Sequence, residues 1–153
     1  MAILVDTNVF LRSVQPHHPL NAQALAALKS LAQGKEPLAI VPQIVVEFWT
    51  AATRPTANNG LGLTPEQTKV EVEKILSTFQ LFPETAAIFD EWRRLVLSHA
   101  VSGLETHDAR IVAAMLTHGI AQILTFNEED FRRYKEIRVL RPQSILSARG
   151  AAS

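Results

Sequence analysis

The stretch ILVDTN, residues 3–8, decides the fold that we predict for this 153-residue chain. Three apolar residues, Ile3 to Val5, run directly into the polar residues Asp6, Thr7 and Asn8. A short apolar run that ends in polar side chains is typical of a buried strand leading into a ligand site at the carboxyl end of a parallel sheet. The Asp6 carboxylate is explained equally well as the N-cap of the following helix, because it can accept a hydrogen bond from a free backbone N–H.

Beyond this stretch, short apolar runs alternate with segments of helical periodicity. The patterns predict strands at residues 2–6, 38–41, 80–82, 122–125 and 138–140, and helices at residues 8–13, 21–32, 43–53, 64–79, 84–99, 105–118 and 127–133. Such alternation predicts an α/β fold, with a central, mainly parallel sheet of four to five strands flanked by helices. We expect a single domain over residues 1–145 and a C-terminal tail over residues 146–153.

The composition limits the class of protein. A hydrophobic content of 47% and a charged content of 20% are ordinary for a folded domain. The chain has no cysteine, which excludes disulfides, thiolate zinc sites and a cysteine nucleophile, and which agrees with a cytoplasmic location. The N-terminus lacks the pattern of a signal peptide, and the apolar runs are too short to span a membrane, so we expect no membrane partner.

The charge of the chain is balanced overall but unevenly placed. The formal net charge is zero, so the strongly basic footprint of many nucleic-acid-binding proteins is absent. Residues 131–153 nevertheless contain six basic residues and one acidic residue. This segment is either a solvated surface or a basic rim beside an acidic site.

Two acidic residues lie on predicted helices in positions that a solvated surface does not explain. Glu47 lies at the edge of the apolar face of its helix, and no basic residue three or four positions away offers it a local partner. Asp108 shares the apolar stripe of its helix with Ile111 and Val112. A first-turn position favours an acid by about 0.3–1 kcal/mol through the helix dipole, but it does not explain an acid on the buried face.

The predicted topology brings acidic and amide side chains to one edge of the sheet. Asp6 ends the first strand, Glu47 follows the second by about one helical turn, and Asn127 follows the fourth. Because the carboxyl ends of parallel strands meet at one edge, we expect these side chains to lie close together. Asn127 is also a good N-cap for the short predicted helix, and Asp130 could act wholly as its capping partner.

Carboxylates that converge in this way cannot all ionise cheaply unless a cation neutralises them. No histidine pair has the spacing of ligands on one helix face, which argues against zinc, and no glycine-rich loop follows a strand. Oxygen donors suit Mg²⁺ or Mn²⁺, which can activate a water molecule and clamp a phosphodiester. The residues therefore predict metal-dependent phosphotransfer or phosphohydrolysis.

Four segments, taken in order, resemble a known family. They are VDTNVF (residues 5–10), VPQIVVEFW (41–49), THDARIVAA (106–114) and ILTFNEEDF (123–131). Over residues 4–140 the chain is similar to PIN domains, and more narrowly to the VapC-type toxin ribonucleases of VapBC toxin–antitoxin pairs. The resemblance implies a three-layer PIN-like fold and an Mg²⁺- or Mn²⁺-dependent endonuclease that hydrolyses RNA phosphodiester bonds with a metal-activated water. It also implies a homodimer and a cognate antitoxin protein.

The resemblance assigns roles to individual residues. Asp6, Glu47 and Asp108 match the three core acids of the family, so we expect them to be catalytic and to hold the metal. Thr125 and Asn8 match positions that support the site. Candidate contacts to the RNA backbone are the arginines Arg12, Arg54, Arg132 and Arg133.

The chain departs from the family pattern at the fourth acidic position, where it has Asn127 in place of an aspartate. Asn127 is kept as a catalytic candidate, but the departure leaves open whether one ion or two are bound. Asp130 could substitute as a supporting acid, although it lies beyond the start of the short predicted helix.

Two other functions compete with the nuclease. The departure at Asn127 supports a catalytically weak PIN-like domain that acts as a protein- or RNA-binding module. A haloacid-dehalogenase-type phosphatase needs a second acid two residues after its nucleophilic aspartate, and this chain has Asn8 there.

Overall fold

A five-stranded parallel sheet forms the centre of the computed structural model, which describes residues 1–146. The strands are β1 (Ile3–Val5), β2 (Leu38–Ile40), β3 (Gln80–Leu81), β4 (Gln122–Leu124) and β5 (Arg138–Leu140). Their order in the sheet is β3-β2-β1-β4-β5, and every neighbouring pair is parallel. The predicted α/β fold with a parallel sheet is therefore confirmed.

Residues 142–146, after β5, are helical, and six further α-helices connect the strands within residues 1–141. They are α1 (Thr7–Ser13), α2 (Asn21–Ala32), α3 (Pro42–Thr53), α4 (Pro65–Thr78), α5 (Ala86–Ser98) and α6 (Glu105–His118). The start of α4 is a full capping box, in which Thr64 and Gln67 bond each other's backbone N–H groups. Helix α6 ends where Gly119 adopts a left-handed φ of 70°, a conformation that glycine reaches without a steric penalty.

The segment after β4 differs from its prediction. In place of a helix over residues 127–133, it forms one 3₁₀ turn, Glu128–Asp130. Asn127 occupies the predicted N-cap position, but of a 3₁₀ turn, and its side chain makes no capping hydrogen bond there. Phe131 and Tyr134 are both buried, at 1% and 2% exposure, and their packing into the core takes the place of the hydrogen bonds that would continue a helix.

The strand order creates a crevice between β1 and β4. The chain runs outwards from β1 to β2 and β3, and then returns to place β4 and β5 on the other side of β1. Connections therefore leave the carboxyl ends of β1 and β4 in opposite directions, which is where open α/β sheets bind ligands. The floor of this crevice is rigid because Leu4, Val5, Ile123 and Leu124 are fully or almost fully buried.

The helices form two groups that pack among themselves. Helix α1 packs against α2 and α3, α3 packs against α4, and α5 packs against α6. Within residues 1–146, no helix combines the length and the apolar character needed to cross a bilayer. The boundary predicted at residue 146 stays a prediction, because the rest of that tail, residues 147–153, lies outside the described residues.

Candidate functional site

Asp6 lies at the carboxyl end of β1, where it caps the following helix and also keeps an oxygen free for a ligand. It is the N-cap of α1, where its Oδ1 accepts a hydrogen bond from the Thr7 backbone N–H at 2.8 Å. Its Oδ2 accepts hydrogen bonds from the Thr125 hydroxyl at 2.7 Å and from the Asn8 amide at 3.2 Å. A carboxylate offers about four lone-pair sites, so the three bonds leave acceptor capacity on Oδ1. This buried side chain is thus fixed in place with one oxygen still available to a ligand.

Thr125, the first residue after β4, joins the two sides of the crevice. Its hydroxyl is fully buried and donates to Asp6 while accepting from the Asn8 amide at 3.0 Å and from the Asn127 backbone N–H at 3.0 Å. The Asn8 carbonyl oxygen in turn accepts from the Phe126 N–H at 3.1 Å. All the hydrogen-bonding capacity of the Thr125 hydroxyl is therefore used. Thr125 and Asn8, predicted as supporting residues, hold the ends of β1 and β4 together.

Glu47 approaches the same crevice from α3. Its Oε2 accepts a hydrogen bond from the Thr7 hydroxyl at 3.3 Å, and its Oε1 accepts one from the Gln43 amide at 2.8 Å. The expectation that Glu47 lacks a local partner is wrong, because a neutral amide four residues earlier on the same helix donates to it. The half-buried carboxylate is thus oriented by two donors that carry no charge.

Asp108 completes the group of acids from the first turn of α6. It is half-buried, and its carboxylate accepts no hydrogen bond within residues 1–146. Burial raises its pKa from 3.8 to about 7, and the charges of Asp130, Asp6 and Glu47 add to this effect. Its ionised form is therefore costly near neutral pH unless a cation approaches.

Burial also raises the pKa of Asp6, from 3.8 to about 6. The hydrogen bonds from Thr125 and Thr7 lower it, while the charges of Glu47 and Asp130 raise it further. Because the charge of Glu47 acts on both aspartates and the charge of Asp6 acts on Asp108, the three predicted acids lie in one electrostatic field.

Asp130 belongs to the same field, whereas the Asn127 side chain stays apart from it. The charge of Asp130 raises the pKa of both Asp6 and Asp108, so Asp130 lies within electrostatic range of both aspartates. Burial and the charges of neighbouring glutamates raise the pKa of Asp130 itself. The exposed Asn127 contributes its backbone N–H to Thr125, and its side chain makes no hydrogen bond within residues 1–146.

The donor chemistry of these residues fits a hard divalent cation. No three His, Asp or Glu side chains of residues 1–146 lie close enough together to form a ready-made metal-binding group. Mg²⁺ commonly takes only one or two carboxylates and fills its remaining positions with water and substrate phosphate. The unused oxygen lone pairs of Asp6, Glu47 and Asp108 meet that need, and their mutual repulsion favours a cation.

Two of the predicted RNA-binding arginines, Arg132 and Arg133, are engaged in ion pairs. Arg133 pairs with Glu105 at 2.7 Å, and Glu105 is one of the charges that raise the pKa of Asp108. Arg132 pairs with Glu129 at 3.2 Å and with Glu128 at 3.9 Å. This part of the basic C-terminal segment is thus a rim whose charge is already partly neutralised within the chain.

The other two predicted arginines lie at the C-terminal ends of α1 and α3. Arg12 is in the last turn of α1 and donates to the Gln15 side chain at 2.6 Å. Arg54 is the exposed C-cap of α3, at the start of the loop that leads to α4. The four arginines therefore belong to three different segments of the chain.

Sequence reasoning missed two residues next to the site, Gln43 and Arg110. Gln43 bonds Glu47, and Arg110 donates to the Gln43 carbonyl oxygen at 2.9 Å. The signal for Gln43 was its position one helical turn before Glu47, where an amide donor can serve as well as a cation. The sequence carried no comparable signal for Arg110, which lies 67 residues from Gln43 along the chain.

A family model for the PIN domain matches residues 3–137 of the chain. The chain belongs to the PIN domain family. No curated protein sequence matches this PIN domain, but solved structures do.

Several solved structures share the fold of this PIN domain. VapBC2 from Rickettsia felis, bound to a promoter DNA fragment, is 16% identical with a TM-score of 0.69 and covers 92% of this chain and 98% of its own. VapBC-1 from nontypeable Haemophilus influenzae is 15% identical with a TM-score of 0.67, covering 94% and 99%. VapC20 from Mycobacterium tuberculosis, described as a sarcin–ricin loop cleaving toxin, is 14% identical with a TM-score of 0.66, covering 86% and 95%. At these identities the likeness establishes the fold.

Proposed function

We propose that this PIN domain is an Mg²⁺- or Mn²⁺-dependent RNA endonuclease and the toxin of a type II toxin–antitoxin pair. The observation that carries the proposal is the shared electrostatic field of Asp6, Glu47 and Asp108, in which burial and nearby carboxylates raise the pKa values of both aspartates. Such a group of buried like charges lowers the stability of the fold, which a binding module has no reason to tolerate. An enzyme gains from it, because the charges attract a cation to the phosphodiester.

In this proposal Asp6, Glu47 and Asp108 would hold the ion. The chemistry that such an ion supplies when bound is to make a water molecule more acidic and to neutralise charge on the phosphate. Asp6 contributes its free Oδ1 lone pair, while Thr125 and Asn8 keep the carboxylate from rotating. Whichever of Glu47 and Asp108 keeps a free oxygen beside the ion would accept the proton of the attacking water.

Asp130 takes the place of the missing fourth acid in this proposal. Its charge acts on both Asp6 and Asp108, whereas the Asn127 side chain is exposed and makes no hydrogen bond within the described residues. An exposed carboxylate gives a second ion a weaker hold than a buried one, so we propose one well-held ion, with a second arriving together with RNA.

RNA as the substrate is supported by the arginines at the rim and by the structural neighbours. Arg133 pairs with Glu105, and phosphate can compete with Glu105 for its guanidinium. Arg132, Arg12 and Arg54 would contact the backbone further from the cleaved bond. The neighbour VapC20 is described as cleaving the sarcin–ricin loop, which agrees with structured RNA as the substrate class.

We also propose a cytoplasmic protein with two protein partners, a second copy of this chain and a cognate antitoxin. Several structural neighbours are VapBC complexes, which supports the antitoxin. Large apolar side chains are exposed on α3 and α5, including Val46 at 63%, Phe89 at 59% and Leu97 at 76%, which supports a covered face. Light scattering should give the mass of a dimer for the wild type and of a monomer for a Phe89→Glu variant; a wild-type monomer at micromolar concentration would contradict the dimer.

The nuclease proposal is tested by cleavage of a structured RNA in the presence of Mn²⁺. We expect the wild type to cut, EDTA to stop cutting, and Asp6→Ala and Asp108→Asn each to reduce the rate about 10²–10³-fold. Asp90→Asn is the matched control, because Asp90 is an exposed aspartate on α5. If the wild type cuts no faster than the two variants, or if cutting survives EDTA, the catalytically weak binding module that Asn127 supports is the better description.

A further inference from the structure

The side-chain amide of Gln43 links α3 and α6 beside the site. Its Nε2 donates to the Glu47 Oε1 at 2.8 Å and to the His107 backbone carbonyl at 2.8 Å. Its Oε1 accepts from a guanidinium nitrogen of Arg110 at 2.9 Å. The amide thus makes three hydrogen bonds, one within α3 and two to α6.

These three partners permit only one orientation of the amide. Arg110 can only donate, whereas the Glu47 carboxylate and the His107 carbonyl can only accept. A flipped amide would turn its oxygen towards two acceptors and its nitrogen towards a cation. Because the flip would break three hydrogen bonds at once, Gln43 presents a fixed donor to Glu47.

Arg110 is itself held from the other side. Its guanidinium pairs with Glu84, in the segment that precedes α5. A continuous chain of polar contacts therefore runs from Glu84 through Arg110 and Gln43 to Glu47. The contacts keep the Arg110 cation one residue away from Glu47, so that the carboxylate is oriented without being neutralised by a salt bridge.

The separation between Arg110 and Glu47 matters for a metal ligand. A direct salt bridge would occupy the carboxylate with two strong donors and would oppose the approach of a cation. An amide donor occupies one lone pair of Oε1 and leaves the net negative charge of Glu47 intact. The geometry thus combines a fixed orientation with an undiminished charge.

We propose that Gln43, locked by Arg110, is a positioning residue that aims the Glu47 carboxylate at the divalent cation; this inference rests on the proposed function. Hydrogen-bond partners behind a ligand side chain orient it and tune its affinity for metal, and their loss commonly weakens metal binding about 10–100-fold. The alternative is that Gln43 only fastens α3 to α6 through the His107 carbonyl.

The test replaces Gln43 with methionine, which keeps the shape of the side chain and removes its hydrogen bonds. Gln122→Met is the matched control, because the Gln122 amide also donates to a glutamate, Glu36, at 3.1 Å, but at the opposite edge of the sheet. The full-length variants are compared by Mn²⁺ titration without RNA, followed by electron paramagnetic resonance, and by thermal unfolding and RNA cleavage.

We expect Gln43→Met to weaken Mn²⁺ binding about 10-fold or more, with a lower kcat and an unchanged KM for RNA, while Gln122→Met matches the wild type. Arg110→Met should show a smaller loss in the same direction, since it removes one of the three hydrogen bonds that fix the amide and leaves the other two. The effect of Gln43→Met should disappear in a Glu47→Ala background, because there is no carboxylate left to aim.

The outcomes separate this inference from the proposed function. If folded Gln43→Met binds Mn²⁺ as the wild type does, or if its loss is equally large without Glu47, the inference is overturned and the nuclease proposal stands. If Gln43→Met does not unfold cooperatively, Arg110→Met decides by the same criteria. If the wild type neither binds Mn²⁺ nor cuts RNA, the proposed function fails and the inference fails with it.

Discussion

The two aspartates at the centre of the site are held in opposite ways. Asp6 is buried and receives three hydrogen bonds, so protein donors stabilise its charge. Asp108 is half-buried and receives none within residues 1–146, so only its place on α6 fixes it. Both pKa values are raised by burial, but that of Asp108 is raised further, to about 7 against about 6. The protein therefore stabilises the charge of Asp6 without a cation, whereas the charge of Asp108 needs a cation to stabilise it.

Loss of the hydrogen bonds around Asp6 should have the largest effect on stability. Thr125→Val keeps the shape of the side chain but leaves Asp6, Asn8 and the Asn127 N–H each with one bond fewer. At about 1–3 kcal/mol for each buried polar group without a partner, we expect a loss of about 3 kcal/mol and a Tm lower by about 6–12 °C. Calorimetry measures this, with Thr117→Val as control because that hydroxyl bonds one carbonyl of its own helix. Equal losses in both variants would contradict the role of Thr125 as a hub.

Binding of a cation should stabilise the folded protein, and this gain should depend on Asp108. Mn²⁺ at about ten times its Kd should stabilise the wild type by about 1.4 kcal/mol, because it binds the folded chain and not the unfolded one. Asp108→Asn should lose this gain at pH 8, since the variant no longer presents the carboxylate that most needs the cation. A melting curve with and without Mn²⁺ measures both. An Asp108→Asn variant that gains as much as the wild type would remove Asp108 from the metal site.

The pH dependence of the metal-free protein should distinguish the two aspartates. An acid whose pKa is raised by folding stabilises the folded state fully below its unfolded value of 3.8, and this contribution is lost as pH rises to the folded value. The loss from Asp6 ends near pH 6, whereas the loss from Asp108 continues to about pH 7.

Asp108→Asn should therefore be more stable than the wild type at pH 8 without metal. We expect a gain of about 1 kcal/mol after allowance for solvent screening of a half-exposed group, or about 2–4 °C in Tm. The gain should shrink as pH falls from 7 towards 4, and melting curves across this range measure it. A gain that is the same at pH 4 and pH 8 would show that charge is not its cause.

The smallest expected effect concerns the rim. Arg133→Met should remove one phosphate contact, lower RNA affinity a few-fold and reduce the slope of log K against log salt by about 0.7 for single-stranded RNA. Fluorescence anisotropy in EDTA measures binding without cleavage, and Arg93→Met on the exposed face of α5 is the control. An unchanged slope would leave Arg133 as the partner of Glu105 alone.

The positions of the strands were predictable because burial and pleating act locally. All five predicted strands are present, and each differs from its predicted bounds by two residues at most. The turn after β4 was not predictable in the same way, because Phe131 and Tyr134 pack into a core that is assembled from distant segments. A propensity for a short helix loses there to the burial of two large aromatic side chains.

The alternation of strands and helices, the polar end of β1 and the three acids are visible in the sequence, because each is a period or a break within a few residues. The donors that hold those acids depend on long-range contacts. Thr125 reaches Asp6 from 119 residues away, and Arg110 reaches Gln43 from 67. Such contacts depend on the register between β1 and β4 and on the packing of α3 beside α6, which no local pattern encodes.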